Sequence, residues 1–285
     1  MRNKLKSSLY HFLSGTVGNV LVILQPEKAR QLSKNRIALV HKHKNMGISD
    51  KLMRGALLKK LDRIDDHNTI AQTNREFWIN KNATDLFSEL EDTFNTDFLP
   101  NCTFVFELLK EELSNESEKY DTLVEIGTGN GDVLNYLSSE FPEINRFIGI
   151  DLSKDQIDLN NVKYGKNKKL EFVAADAMDW VKEHGQGKTI FVTSRGVLEY
   201  FLETQLQELF KDINLLGKTY FIAIEPNGAY HNFETNPSSQ LYGKEPSFSH
   251  NYPHLFKNAG FSLWHFSQKV WFNGTNMQTF VGAKN

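Results

Sequence analysis

The densest run of chemically suggestive residues is Glu125-Ile126-Gly127-Thr128-Gly129-Asn130-Gly131, where an apolar stretch from Leu123 opens into three alternating glycines. Glycine lacks a β-carbon, so such a run lets the chain turn sharply and lets a ligand touch bare backbone. The next segment, Asp132 to Glu140, reads as a helix, and its unpaired first N–H groups can hold a carboxylate or a phosphate. Asp151 follows twenty residues beyond Gly131 and closes the run Phe147-Ile148-Gly149-Ile150. Asp176 stands twenty-five residues further on and closes Phe172-Val173-Ala174-Ala175. A carboxylate at the first place can accept both hydroxyls of a ribose; one at the second suits the amino group of an adenine. A lone aspartate before a helix is usually its cap. Three acids at the edges of successive strands are harder to assign to capping.

Strands and crossovers must position these groups. Leu123 to Ile126, Arg146 to Ile150, Leu170 to Ala174, Thr189 to Thr193 and Thr219 to Ile224 are short apolar runs, spaced so that each crossover has room for a helix, as parallel strands require. Phe261 to Gln268 and Met277 to Val281 flank Asn273-Gly274, a hairpin turn signal. The pattern implies an α/β fold with a doubly wound, seven-stranded, mostly parallel sheet ending in an antiparallel hairpin. Residues 28 to 118 carry mixed three and four apolar spacings and read as helical, among them Ile37, Leu39 and Val40, Asn68 to Asn80, Asp85 to Phe94 and Thr103 to Leu113. Asp97 to Pro100 reads as a break. The texture changes near Glu118, giving a basic helical N-terminal cap region over 1–118 and a catalytic domain over 119–285.

This arrangement resembles the class I S-adenosylmethionine-dependent methyltransferases, a Rossmann-like superfamily, through the E-x-G-x-G-x-G stretch Glu125 to Gly131, Asp151 and the pair Asp176-Ala177, over roughly residues 121–284. The resemblance implies that S-adenosyl-L-methionine is the cofactor and S-adenosyl-L-homocysteine the product. It also implies that Glu125, Gly127, Thr128, Gly129 and Gly131 surround the amino-acid portion, Asp151 and Leu152 the ribose, and Asp176 and Ala177 the adenine. Ser194 and Arg195 replace the acid often found after the fourth strand, and Arg195 is counted with the cofactor residues. A dinucleotide oxidoreductase is the nearest enzymatic competitor, but G-x-G-x-x-G spacing from Gly127 needs glycine where Asp132 stands, an acid that would repel a pyrophosphate.

Methyl transfer is a displacement at carbon, so aligning nucleophile, methyl and sulfur could supply much of the rate. A hydroxyl acceptor also benefits from a base. Candidates beyond the strand ends are Glu199 after the fourth strand, and Glu225 and His231 after the fifth; His231 is preferred because imidazole titrates near neutrality. Tyr200 and Tyr230 in the same loops, with Arg75 and Trp78 of Asn74-Arg75-Glu76-Phe77-Trp78, are the candidate acceptor contacts. The insert from Asn232 to Tyr252 reads as a substrate lid or a surface loop.

The 285 residues, 40% hydrophobic and 12% aromatic, suffice for a globular protein with its own core. One cysteine, Cys102, excludes an internal disulfide framework and a C-x-x-C redox pair. No H-E-x-x-H cluster, P-loop lysine or G-x-S-x-G elbow is present, and no metal is expected. Residues 1–60 hold 13 Lys or Arg against Glu27 and Asp50, which suits contact with an anionic surface. The basic start and the run Val20 to Leu24 mimic a signal peptide, but polar interruptions and Gln25-Pro26 oppose that reading. A cytoplasmic chain follows, with amphipathic docking on a membrane left open. The expected activity is methylation of a small-molecule or glycan acceptor, at oxygen. A nucleic-acid methyltransferase gripping phosphates through the basic segment, a non-catalytic binder of the cofactor and an aminopropyl transferase are the alternatives.

Overall fold

A computed structural model of the chain describes residues 10, 12–33, 46–61, 66–79, 84, 92–243, 247–271 and 276–285. Ile37, Leu39 and Val40, most of the expected helix Asp85 to Phe94, and the Asn273-Gly274 turn lie outside them. Two compact units emerge, one running to Phe77 and the other made of Trp78–Gly243 with Ser247–Asn285. In the first, a π-helical turn at Ser14–Gly18 continues into α1 (Asn19–Leu24), followed by α2 (Pro26–Ser33), α3 (Ile48–Leu61) and α4 (His67–Ile79). Its small core gathers Ala29, Met53 and Leu57.

The second unit opens with a π-helical turn at Phe94–Phe98 that runs straight into α5 (Leu99–Cys102), and then α6 (Phe104–Ser114). The break expected at Asp97 to Pro100 is therefore absent. Pro100 falls at the junction where the π-helical turn passes into α5, so the helical run accommodates it without ending. Next come β1 (Thr122–Ile126), α7 (Asp132–Glu140), β2 (Arg146–Asp151), α8 (Lys154–Tyr164), β3 (Leu170–Ala174), α9 (Ala177–His184), β4 (Thr189–Ser194), a 3₁₀ turn (Leu198–Tyr200) and α10 (Glu203–Leu216). The chain ends with β5 (Thr219–Gly228), the short strands β6 (Gln240–Tyr242) and β7 (Ser247–Ser249), α11 (Tyr252–Asn258), β8 (Ser262–Val270) and β9 (Asn276–Lys284).

Seven strands form one sheet in the order β3-β2-β1-β4-β5-β9-β8, five of them parallel, with β9 antiparallel to β5 and β8 antiparallel to β9. Helices cover both faces, so the inner strands are nearly continuous apolar runs. Strand side chains alternate between faces: Leu123 joins Phe106, Leu109, Leu134 and Leu137 in one core, and Val124 joins Trp180, Leu206, Phe210 and Phe256 in the other. The expected sheet and its terminal antiparallel pair are thus present. The strand expected at Thr219 to Ile224 is longer than the sequence suggests, because Glu225, Pro226, Asn227 and Gly228 continue its pairing with Thr279, Gln278, Met277 and Asn276. Glu225 is accordingly a strand residue rather than a loop residue.

Candidate active site

The ends of β1, β2 and β3 bring the glycine run and its acids together. Gly127, Gly129 and Gly131 have φ of 72°, 50° and 76°, the left-handed region that side chains disfavour. At Gly127 a β-carbon would also lie 2.6 Å from both methyls of Val197, so the turn after β4 packs directly on the glycine loop. The loop is stitched to β2 by Gly127 N–H and Thr128 N–H, which both donate to the Ile150 carbonyl, at 2.8 and 3.0 Å.

Beneath it, Glu125 is buried and accepts the Thr128 hydroxyl at 2.8 Å on one oxygen and the Ser194 hydroxyl at 2.9 Å on the other. Burial pushes its carboxyl up to about 7. Glu125 therefore ties β1, the glycine loop and β4 into one frame. Asp151 accepts Gly129 N–H and Ser153 N–H, each at 2.9 Å, and burial raises its carboxyl as well. Asp176 caps α9 through Met178 N–H at 2.8 Å, the bland role considered for it, with Ala177 buried as the first helical residue. Leu152 is half-buried between Asp151 and Ser153.

Two supports of the loop were missed. Asn160, fully buried on α8, donates to the Gly129 carbonyl at 2.7 Å and is itself held by Gln156 at 2.9 Å. Their i,i+4 spacing after Asp151-Leu152-Ser153 is the signal that could have shown them. Asp132, the acid at the start of α7, is engaged by Tyr164 at 2.6 Å and Lys163 at 2.7 Å.

The three candidate bases are all occupied within the chain. Glu225, on β5, is fully buried, and one oxygen accepts Val197 N–H at 2.9 Å and Leu198 N–H at 3.0 Å. Burial pushes its carboxyl up to about 8. The Thr193 hydroxyl lies close enough to lower that value, yet outside hydrogen-bond geometry, so both it and the second carboxyl oxygen are unpartnered. Glu199, buried in the 3₁₀ turn, accepts the Tyr242 hydroxyl at 2.5 Å. Burial and this carboxylate keep the Tyr242 hydroxyl well above the ordinary phenol range.

His231 presents no open nitrogen. Its Nε2 lies 2.9 Å from the Asn236 carbonyl, which makes it the donor, and its Nδ1 lies 2.8 Å from the Ser249 hydroxyl. It fastens the insert, part of which is the β6–β7 ribbon rather than an irregular loop.

Of the acceptor candidates, Trp78 and Tyr200 come together with ring centroids 5.2 Å apart. Tyr230 is 90% exposed. Arg75 is exposed on α4, in the first unit. Arg195 holds φ of 63°, unusual for a side chain, and its guanidinium donates to the Thr93 hydroxyl. Among the described residues no cluster of His, Cys, Asp or Glu could hold a metal ion, and no helix is long and apolar enough to cross a membrane.

Residues 123–218 match a family model described as a methyltransferase domain. Residues 123–218, about a third of the chain, thus carry a methyltransferase domain set in the seven-stranded sheet, and S-adenosylmethionine is the cofactor such a domain uses. The residues present fit that molecule: three bare glycines, acids at two strand ends, and an aspartate at the helix start where a pyrophosphate would meet repulsion. Among solved structures the chain is similar to a Leishmania major SAM-dependent methyltransferase, at 10% identity and TM-score 0.54 over 78% of this chain and 88% of that one. It is also similar to magnesium protoporphyrin IX methyltransferase from Synechocystis PCC 6803 with bound SAH, at 10% identity and TM-score 0.53 over 76% and 100%. At these identities the likeness is one of fold. No curated protein matches the chain.

Proposed function

We propose that the chain methylates a small-molecule acceptor, sugar-like or glycan in character, at an oxygen. The observation that carries this reading is the frame of Glu125, Asp151 and Glu225 around the glycine loop and the turn after β4. S-adenosylmethionine, when bound, supplies a methyl group on a cationic sulfur. Gly127, Thr128, Gly129 and Gly131 would pass beside its amino-acid portion, Asp151 and Leu152 would meet its ribose, and Asp176 and Ala177 its adenine. Each carboxylate oxygen has two lone pairs, so the N–H bonds to Asp151 leave capacity for ribose hydroxyls.

Trp78 and Tyr200 offer an aromatic surface for the acceptor, with Arg195 on the turn that leads to Tyr200. Catalysis would rest chiefly on alignment, since His231 already spends both ring nitrogens on the fold and Glu225 holds the Val197 and Leu198 N–H groups. Glu199 is the candidate whose partner, a tyrosine hydroxyl, an acceptor hydroxyl could replace or extend as a proton path. The test is transfer of a labelled methyl group from S-adenosylmethionine to panels of hydroxylated small molecules and oligosaccharides. Label in an O-methyl product with matching release of S-adenosylhomocysteine is expected. Label only in RNA or DNA, or in none of the acceptors, would overturn the reading.

A further inference from the structure

The helix Ser14–Leu24 leaves most of its bulky apolar residues on the surface and buries small ones. A helix on a water-soluble domain ordinarily turns its bulky apolar residues inward and its small or polar ones outward. Here Leu21 and Val22 pack, half-buried, on the Ala29, Met53 and Leu57 cluster, but the fully buried positions are Ser14 and Gly18. A β-carbon at Gly18 would lie 2.3 Å from the Leu52 carbonyl oxygen, and one at Gly55 would lie 2.4 Å from the Ser14 hydroxyl, so this segment and α3 meet almost backbone to backbone. Facing outward are Phe12, Val17, Val20, Ile23 and Leu24, between 43% and 74% exposed. Small residues at a close helix contact, with large apolar ones turned to the surroundings, are the pattern that an apolar medium favours. In water a contiguous apolar face of this kind marks a binding surface.

Charge identifies what it binds. From Ser7 to Pro26 the sequence has no Lys, Arg, Asp or Glu, while Arg2, Lys4 and Lys6 precede the run and, beyond the single acid Glu27, Lys28, Arg30, Lys34 and Arg36 follow it, Lys28 being paired with Asp50. An anionic lipid surface accepts apolar side chains at its acyl boundary and cations among its headgroups. A second copy would set the same cationic flanks against each other across a two-fold interface. We propose that this face seats the protein on the surface of an anionic lipid bilayer, lying in the interface. The described helix, about 17 Å long, is too short to span the hydrocarbon core of about 30 Å.

The test is co-sedimentation of the full chain with vesicles of phosphatidylcholine and phosphatidylglycerol in equal parts, compared with phosphatidylcholine alone. The readout is independent of methyl transfer. The wild type should bind the anionic vesicles at least about tenfold more tightly, less so at high salt. Ile23→Asn with Leu24→Asn should lower that binding at least about tenfold. Both residues are 70% or more exposed, so circular dichroism and melting temperature should be unchanged. No binding by the wild type, or equal binding by the double variant, would overturn the proposal. So would a dimer in solution that the double variant splits while vesicles capture neither form.

Discussion

Glu225 offers the sharpest division between architecture and chemistry. Its carboxyl is the acceptor for two backbone N–H groups, Val197 and Leu198, in a turn that already holds Arg195 and Gly196 at φ of 63° and 84°. Glu225→Met would keep the volume and leave both donors inside the protein without an acceptor, at about 1–3 kcal/mol for each. Val197 is partly accessible and some of that cost would be recovered by water, so the total should be about 3 kcal/mol. For a domain of this size, that corresponds to a drop of about 6 to 12 °C in melting temperature. Because Val197 packs on Gly127, affinity for S-adenosylhomocysteine should fall at least about tenfold.

Glu225→Gln differs in a calculable way. The amide oxygen can accept both N–H groups, and the amide nitrogen takes the place of the unpartnered oxygen beside the unpartnered Thr193 hydroxyl. Stability within about 1 kcal/mol of wild type is expected, with cofactor affinity kept within about threefold. Thermal melts, titration with S-adenosylhomocysteine and turnover would be measured on all three proteins. Equal damage from Gln and Met would refute the hydrogen-bond reasoning. A Gln variant that is stable and binds cofactor but has lost about 100-fold or more in turnover would instead mark Glu225 as a proton-transfer base.

Gly131→Ala would force a side chain to φ of 76° and place a β-carbon 2.7 Å from the Tyr164 ring; a melting temperature several degrees lower and weakened S-adenosylhomocysteine binding should follow, measured by melts and titration. Glu125 and Glu225 have folded values raised to about 7 and about 8 from an ordinary 4.5, so the folded state holds protons that the unfolded chain releases. Their contribution to stability is therefore complete below pH 4.5, falls as pH rises to about 8 and is level above that. The difference in denaturant midpoint between wild type and Glu125→Gln with Glu225→Gln should show this slope across that range; a difference that does not change with pH would contradict the assignment. Burial pushes the Cys102 thiol up to about 12, so an aromatic disulfide reagent should leave it unmodified in the native protein and label it in denaturant.

The parallel half of the fold was legible because strands buried on both faces need nearly continuous apolar runs, and Phe147 to Ile150, and Leu123 to Ile126 but for Glu125, are such runs. The candidate cofactor loop was legible because alternating glycines leave few other readings. The far side of the sheet was not. Pro226 reads as the end of a strand, and only the pairing of β5 with β9, fifty residues later in the chain, shows that the strand continues through it. His231 was a reasonable base by residue type, but its two ring nitrogens are committed to the Asn236 carbonyl and the Ser249 hydroxyl, partners that no local spacing reveals. Arg195 illustrates the same limit, since its guanidinium bonds to Thr93, about a hundred residues away in the chain. Contacts at long sequence separation decided which of these polar groups were left for chemistry.

Titration calorimetry of the purified wild-type chain with S-adenosylhomocysteine measures directly whether the glycine loop and its acids bind this molecule. One molecule bound per chain is expected, with affinity sharply reduced by Gly131→Ala and with no heat from NAD or NADP under the same conditions. Absence of binding to both S-adenosylhomocysteine and S-adenosylmethionine, or saturable binding of a nicotinamide dinucleotide in their place, would contradict it.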